Sequence, residues 1–176
     1  EFIQQQLDLK FEAYARGETL GTKYSAKLKD EPRAKEKNDL GKTRVFYACN
    51  LTDLIASRMF LAPLYTLMVE KGSMFNTAVG IDMHSGCGAL VEELSNFSDL
   101  IMEGDYGAYD QTMPFDIGQA ANTVKYELLK ALGYNSEALS VLKCILTEDL
   151  FPEVEMLQNI FVPAGLQPSG KYGTAE

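Results

Sequence analysis

Helical and strand-like segments are mixed along this sequence without a regular alternation, and this mixture constrains the fold more than any other feature. From Asp116, apolar residues recur three or four positions apart, and the pattern stops at Gly133, a suitable helix-ending residue. The same spacing runs from Asn50, a good N-cap, to Gly72, with Pro63 expected to bend or restart the helix. Because the elements do not form strict β-α-β units, the pattern predicts an α+β fold.

Shorter patterns predict the remaining elements. We expect helices over 2–16, 89–94 and 136–148. Runs rich in β-forming or apolar residues predict strands over 43–48, 99–103, 153–158 and 160–162. A glycine-rich loop over 165–173 follows the last of them.

Length and composition allow one folded unit with its own core. With 176 residues, 46% of them hydrophobic, the chain has enough apolar surface to fold without disulfides or a structural metal. Its three cysteines have no disulfide or zinc-site spacing, which is typical of reduced thiols in a cytoplasmic compartment. No apolar run approaches the ~20 residues that span a bilayer, and no secretory signal is visible. The first residue is not Met, so we expect both ends to be cuts in a longer protein.

Charge is distributed unevenly. The chain carries a net charge of −9, yet residues 23–44 hold eight bases and four acids, a local net charge of +4. A basic segment on an acidic protein suits binding of phosphates at one place. The alternative is a solvated loop, since charged surface segments are common.

Two aspartates follow the predicted strand over 99–103. Asp105 stands at its end beside the flexible Gly107, and Asp110 follows five residues later. A carboxylate at a strand end is a natural Mg²⁺ ligand, because Mg²⁺ takes hard oxygen donors and shares them with substrate phosphates. The alternative is a pair of turn-forming or helix-capping aspartates.

The glycine-rich loop nearly completes the phosphate-loop pattern G-x-x-x-x-G-K-[ST]. Gly165, Gly170 and Lys171 match it, but Tyr172 stands where a small hydroxyl residue should hold Mg²⁺. A P-loop nucleotide hydrolase is therefore a minor alternative, and a glycine-rich turn is another.

Three segments, in this order, resemble conserved blocks of the RNA-dependent RNA polymerases of positive-strand, picornavirus-like viruses. Lys-Asp-Glu-x-Arg followed by Gly-Lys-Thr-Arg, within 27–48, resembles fingers motif F. Gly-Asp-Tyr-Gly-Ala-Tyr-Asp-Gln-Thr-Met-Pro at 104–114 resembles palm motif A, and Pro-Ser-Gly-x-x-Gly-Thr within 165–176 resembles motif B. The wording of motif A is most similar to picorna-like viruses of algae and other marine hosts.

The resemblance implies a partial right-hand polymerase fold. Residues 1–98 would form part of the fingers, and residues 99–176 the first part of the palm, interrupted by fingers-type helices. The palm would contain an antiparallel sheet with packed helices. No boundary between independent domains is readable from the sequence.

The resemblance also implies roles for individual residues. Asp105 resembles the palm aspartate that binds the catalytic metal ions, Mg²⁺ with Mn²⁺ as a substitute. Asp110 resembles the aspartate that senses the ribose 2′-hydroxyl, with Ser169 and Thr174 as its partners and Gly170 in the same nucleotide loop. The remaining nucleotide- and RNA-binding residues belong to motif F. Its cations are Lys29, Arg33, Lys37 and Arg44, and Glu31 is the acid that orients them.

The implied activity is template-directed RNA synthesis by two-metal phosphoryl transfer, using an RNA template and primer and nucleoside triphosphates. The sequence departs from the family in lacking the second palm aspartate pair and the thumb, so we expect this chain alone to be inactive. A non-catalytic RNA- or nucleotide-binding remnant of such a polymerase is the alternative. The resemblance further implies other viral replication proteins as partners and the host cytoplasm, at viral replication complexes, as the location.

Overall fold

The computed structural model describes residues 1–174, and it confirms the predicted α+β class. The helices are α1 Phe2–Ala15, α2 Lys35–Asp39, α3 Leu51–Glu70, α4 Gly72–Phe75, α5 Met83–Phe97, α6 Tyr109–Thr112, α7 Phe115–Ala131 and α8 Ser136–Leu150. The strands are β1 Lys23–Leu28, β2 Val45–Cys49, β3 Glu153–Met156 and β4 Asn159–Phe161. The motif B range 165–176 ends with Ala175 and Glu176, which lie outside the described residues.

Asparagine side chains begin two of the long helices. Asn50 Oδ1 accepts a hydrogen bond from the Asp53 N–H, and Asn135 Oδ1 accepts one from the Ala138 N–H, at 2.9 and 2.8 Å. Pro63 does not restart the helix, and α3 runs without interruption from Leu51 to Glu70. Its neighbours Leu61 and Leu64 are fully buried, and this packing stabilises the helix despite the missing N–H.

The four strands form one mixed sheet in the order β2-β1-β3-β4. β1 pairs antiparallel with β2 and parallel with β3, while β3 and β4 form an antiparallel hairpin. The predicted palm portion contributes the antiparallel pair β3-β4, and parallel pairing of β3 with β1 makes the whole a mixed sheet that joins strands from both halves of the chain. Tyr24, Tyr47 and Val154, one from each of the first three strands, are buried together with Leu166.

The strand predicted over 99–103 is not formed, because no strand of the described residues lies beside this segment to provide hydrogen-bond partners. Its apolar side chains are exposed, with Leu100 at 89% and Met102 at 96%. Apolar composition alone therefore gave the wrong element here. Other differences are smaller: α5 is longer than the helix predicted over 89–94, and the basic segment contains the short α2 between β1 and β2.

The core lies between α1, α3, α7 and α8. Leu61, Leu64 and Tyr65 from α3 pack against Leu129 of α7 and against two leucines of α8. Because α3 belongs to the predicted fingers portion and the other two to the predicted palm portion, both portions share this core. The division at residue 98 stays a prediction. Within the described residues, no helix is both long enough and apolar enough to cross a membrane.

A buried network of charges joins α1, α3 and α8. Lys10 Nζ forms ion pairs with Asp53 Oδ1 and, at 3.0 Å, with Glu148 Oε2, and the three side chains are at most 6% exposed. Glu148 also accepts hydrogen bonds from the Tyr14 hydroxyl (2.6 Å) and from the backbone N–H groups of Leu20 and Gly21. These donors keep the buried carboxylate satisfied, as a charge in this environment requires.

The two carboxyls of this network differ in pKa. Burial raises the pKa of the Asp53 carboxyl and outweighs its contacts with Lys10. For Glu148, burial also acts to raise the pKa, but the Tyr14 hydrogen bond and the Lys10 charge together lower it below its ordinary value. Glu148 is therefore the better stabilised anion of the two.

Candidate functional site

A cleft of about 520 Å³ opens beside α7. The irregular segment after α5 contributes Asp105 to its lining, the end of α8 contributes Asp149, and the loop 165–174 contributes Lys171 and Thr174. Two of the predicted site residues, Asp105 and Thr174, therefore border the same space although they are far apart in the sequence.

Asp105 does not stand at the end of a strand, as the sequence predicted. It lies in irregular chain before α6, and its side chain is exposed to solvent. Its position beside the cleft leaves the carboxylate accessible to a ligand or a cation. The prediction of a strand was wrong, and the structure places Asp105 beside the same cleft as the glycine-rich loop.

Asp110 connects the same segment to the loop through its backbone. It lies in the first turn of α6, and its carbonyl accepts a hydrogen bond from the Gln167 N–H at 2.9 Å. The predicted partners of its side chain are engaged elsewhere: Ser169 Oγ accepts from the Tyr47 N–H at 3.1 Å, and Thr174 Oγ1 donates to the Lys171 carbonyl at 2.6 Å. Among the described residues, neither hydroxyl is hydrogen-bonded to Asp110.

The loop 165–174 packs closely on β2. A Cβ at Gly170 would lie 2.1 Å from the Tyr47 carbonyl oxygen, so only glycine fits at this position. In a phosphate-loop hydrolase the corresponding backbone would instead surround a phosphate. Contact with β2 therefore explains this glycine without a P-loop.

The predicted cations of the basic segment surround one acid. Glu31 forms ion pairs with Lys29 at 3.0 Å, Arg44 at 3.4 Å and Arg33 at 3.9 Å. Its pKa is lowered, chiefly by the hydrogen bond from Lys29 and also by the charges of Arg44 and Arg33. Glu31 thus has the position of an orienting acid, while the side chains of Lys29 and Arg44 remain 45% and 60% exposed.

The backbone of this segment is fixed by β1 and β2. The Lys29 N–H donates to the Arg44 carbonyl at 2.8 Å, directly beyond the paired residues Leu28 and Val45. The Arg33 guanidinium donates to the carbonyl of Lys42. Lys37 lies apart on the short α2 with an exposed side chain, and it has no ion pair with Glu31 among the described contacts.

Asp105 is the residue at the cleft that we predicted to hold a metal ion. Asp105 provides an accessible carboxylate, which is the hard oxygen donor that Mg²⁺ and Mn²⁺ prefer. The described residues contain no group of three or more His, Cys, Asp and Glu side chains able to hold a metal. One protein carboxylate fits a Mg²⁺ that takes its other ligands from water and substrate phosphates.

Sequence reasoning missed several residues at the cleft. Asp149, Asn122 and Lys125 border it, but they belong to helices and carry no local motif. In the sequence, Lys171 belongs only to the incomplete P-loop pattern. Its actual contact is with Asp149 of α8, at 3.1 Å. No signal in the sequence predicts a pair that depends on how the loop lies against the helix.

Comparison with known proteins identifies the family. A family model described as viral RNA-dependent RNA polymerase matches residues 1–160. The genome polyprotein of Human parechovirus 2 (strain Williamson) is 26% identical over 133 residues, which are 75% of this chain and 6% of that polyprotein. The genome polyprotein of Porcine enterovirus 9 (strain UKG/410/73) is 29% identical over 154 residues, 84% of this chain and 6% of the polyprotein.

A solved structure has a similar fold. The Sicinivirus 3Dpol RNA dependent RNA polymerase superposes with a TM-score of 0.75 and 21% sequence identity, covering 93% of this chain and 34% of that one. This chain therefore spans about a third of the length of that polymerase and a small part of the matching polyproteins. The predicted partial polymerase fold and the resemblance to picornavirus-like polymerases are confirmed, whereas the marine host group stays a prediction. Because the family model covers most of its length, this chain belongs to the viral RNA-dependent RNA polymerase family.

Proposed function

We propose that this chain is the part of a viral RNA polymerase in which an incoming nucleoside triphosphate meets the RNA template and primer. The observation that carries the proposal is the cleft shared by Asp105 and the loop 165–174, in a chain whose family membership rests on the match over residues 1–160. The activity is template-directed RNA synthesis by nucleotidyl transfer. Residues beyond this chain supply the rest of the enzyme, so the chain alone is inactive.

Asp105 is the proposed catalytic metal ligand, because its carboxylate is exposed at the cleft. Mg²⁺, or Mn²⁺ in its place, would neutralise the charge that develops on the triphosphate and on the attacking oxygen. Asp105 itself holds no structural contact among those described, so its carboxylate remains available for this role.

The basic segment is proposed to bind the triphosphate or the template. Lys29, Arg33 and Arg44 are held around Glu31 with their side chains partly accessible, and closely spaced cations of this kind suit phosphate oxygens. Lys37 adds a further exposed positive charge nearby in the sequence. Glu31 orients the cations and does not touch the nucleotide.

Ser169, Gly170 and Thr174 belong to the loop proposed to recognise the ribose, together with Asp110. The hydrogen bond from Gln167 to the Asp110 carbonyl joins the two segments, which supports a shared role. The 2′-hydroxyl distinguishes a ribonucleotide from a deoxyribonucleotide. The Asp110 side chain must approach the loop hydroxyls, or the substrate itself, when a nucleotide binds.

The experiment is primer extension by the complete polymerase that contains this chain, with poly(A) as template, oligo(U) as primer and each nucleotide offered separately. Incorporation of UMP, and of no other nucleotide, indicates that the template directs synthesis. Asp105→Asn should reduce the rate by about a thousandfold, whereas Asp99→Asn, which changes an exposed aspartate in the same irregular segment, should retain it. A wild-type enzyme that binds RNA without extending the primer would support the non-catalytic remnant instead.

We also propose that the polymerase acts in the host cytoplasm at viral replication complexes, with other viral replication proteins as partners. The basis is the family membership together with reduced cysteines, of which Cys144 is buried and Cys87 exposed. Immunofluorescence against double-stranded RNA and the polymerase in infected cells tests this, and separate distributions of the two signals would contradict it.

A further inference from the structure

We propose that Lys171 and Asp149 form a positioning pair that holds the loop 165–174 for ribose selection. This inference rests on the proposed function, since it concerns how that loop discriminates between nucleotides. It concerns two residues that the sequence patterns assign to no role in an RNA polymerase.

The pair is buried at the border of the cleft. Lys171 Nζ lies 3.1 Å from Asp149 Oδ2, and the two side chains are only 7% and 5% exposed. Both residues line the cleft that Asp105 borders. A buried ion pair is a strong constraint, because separating its members leaves an uncompensated charge in a poorly solvated place.

The ion pair lacks good hydrogen-bond geometry. Among the described residues, Asp149 Oδ2 has no hydrogen-bond donor with good geometry, although the Lys171 charge lies within ion-pair distance. The pair is therefore held by charge more than by a directed hydrogen bond. An exchange of the two charges should for that reason preserve much of its effect.

Lys171 also fixes the loop through its backbone. Its N–H donates to the Pro168 carbonyl at 3.0 Å, and its own carbonyl accepts the Thr174 hydroxyl at 2.6 Å. The residue that is tied to α8 by its side chain thus determines where the Thr174 hydroxyl lies. Loss of the ion pair would therefore move a group proposed to act in ribose recognition.

The next residue provides a second attachment. The Tyr172 ring packs against Tyr65 of α3 with centroids 5.4 Å apart, and the Arg58 guanidinium lies 5.9 Å from the Tyr172 centroid. Lys171 and Tyr172, which follow the glycine of the incomplete P-loop pattern, thus attach the end of the loop to α8 and α3 through their side chains. The tyrosine that departs from the P-loop pattern, Tyr172, packs against Tyr65.

The test uses the complete polymerase and two measurements. Hydrogen exchange of peptides covering 165–174 reports the order of the loop whether or not the enzyme is active. The ratio of kcat/KM for UTP to that for dUTP, on one primer and template, reports ribose selection. A purely structural pair would lower both kcat/KM values together and leave their ratio unchanged.

Three variants make the test independent of misfolding. Lys171→Met alone leaves the Asp149 charge buried. The double variant Lys171→Met with Asp149→Leu leaves no buried charge unpaired, and the exchange variant Lys171→Asp with Asp149→Lys keeps both charges. The matched control is Lys130→Met with Glu127→Leu, which removes an exposed ion pair of α7.

In the double variant, we expect faster hydrogen exchange in peptides covering 165–174. We also expect the ratio of kcat/KM for UTP to that for dUTP to fall about tenfold, within the range by which contacting residues couple. The charge-swapped variant, Lys171→Asp with Asp149→Lys, should recover part of the loop protection and part of the selectivity, and the control should lose neither. Unchanged hydrogen exchange, or faster exchange with an unchanged ratio, would overturn the proposal. A wild-type enzyme that extends no primer would instead overturn the proposed function and the selectivity role with it, while the exchange data would still decide whether the pair anchors the loop.

Discussion

Lys10 is the only cation shown in contact with the two buried carboxylates Asp53 and Glu148 among the described residues, and its removal is the sharpest test of the core. Lys10→Met keeps the length of the side chain and most of its apolar contacts but removes the charge. The variant would leave two carboxylates in a region where all three side chains are at most 6% exposed. The remaining donors to Glu148, including Tyr14, would not compensate Asp53.

The expected loss is about 3–5 kcal/mol in the free energy of unfolding, which is the usual cost of removing one partner from a buried ion pair. This is a large share of the roughly 5–15 kcal/mol that stabilises a typical domain. Part of the loss should depend on pH. Loss of the Lys10 charge should raise the pKa values of both carboxyls in the folded variant relative to the wild type, so the deficit should shrink as pH falls and the carboxyls become protonated.

Equilibrium urea unfolding at pH 5 and pH 8, followed by circular dichroism, measures this effect. The control is Lys130→Met, the same substitution in an ion pair whose side chains are 55% and 58% exposed, and it should cost less than about 1 kcal/mol. The reasoning is refuted if both variants lose similar stability, or if the loss in Lys10→Met is greater at pH 5 than at pH 8.

Three further predictions concern single residues. Because the pKa of Glu148 in the folded protein is lowered below its ordinary value, folding stability should fall as pH drops through the range in which Glu148 becomes protonated, and Glu148→Gln should make that fall shallower in acid titrations of unfolding. Glu31→Gln should raise KM for nucleoside triphosphates several-fold in primer extension with little change in stability, since it frees three cations, of which Lys29 and Arg44 are well exposed; an unchanged KM would count against its orienting role. Gly173→Ala and Gly17→Ala both place alanine at a φ near +73°, but only Gly173→Ala puts a Cβ 2.1 Å from the Tyr65 ring. In thermal unfolding, Gly173→Ala should therefore lose about 1–3 kcal/mol more stability than Gly17→Ala does. Equal losses in the two variants would exclude the clash.

Much of the secondary structure was predictable because it depends on local signals. The Asn50 cap marked the start of α3, and Gly133, with a φ of +96°, follows the end of α7. The hairpin of β3 and β4 was also predicted nearly at its observed bounds. These features arise from residues within a few positions of one another.

The failures concern contacts between distant parts of the chain. The run 99–103 has strand-like composition, yet strand formation needs a neighbouring strand, which composition cannot reveal. The Lys10 network joins residues up to 138 positions apart, and no local pattern marks it. Likewise, the predicted partners of Asp110 are hydrogen-bonded to the backbone of β2 and of the loop itself, and no local pattern predicts these contacts.

For the candidate site, motifs predicted which segments meet but not how they are held. The segments of Asp105 and Thr174 do border one cleft, and Glu31 does lie among the cations. The ion pair of Lys171 and Asp149 depends on how the loop packs against α8, which the sequence motifs do not specify. Residue roles in catalysis remain predictions that require the complete enzyme.

The most direct test of the central claim is a crystal structure of the complete polymerase with RNA, a non-hydrolysable nucleoside triphosphate and Mn²⁺, using anomalous scattering to locate the metal. The account predicts an anomalous peak at coordination distance from an Asp105 carboxylate oxygen, inside the cleft bordered by the loop 165–174. A bound nucleotide whose metal lies elsewhere, with Asp105 making no contact to it, would contradict the account.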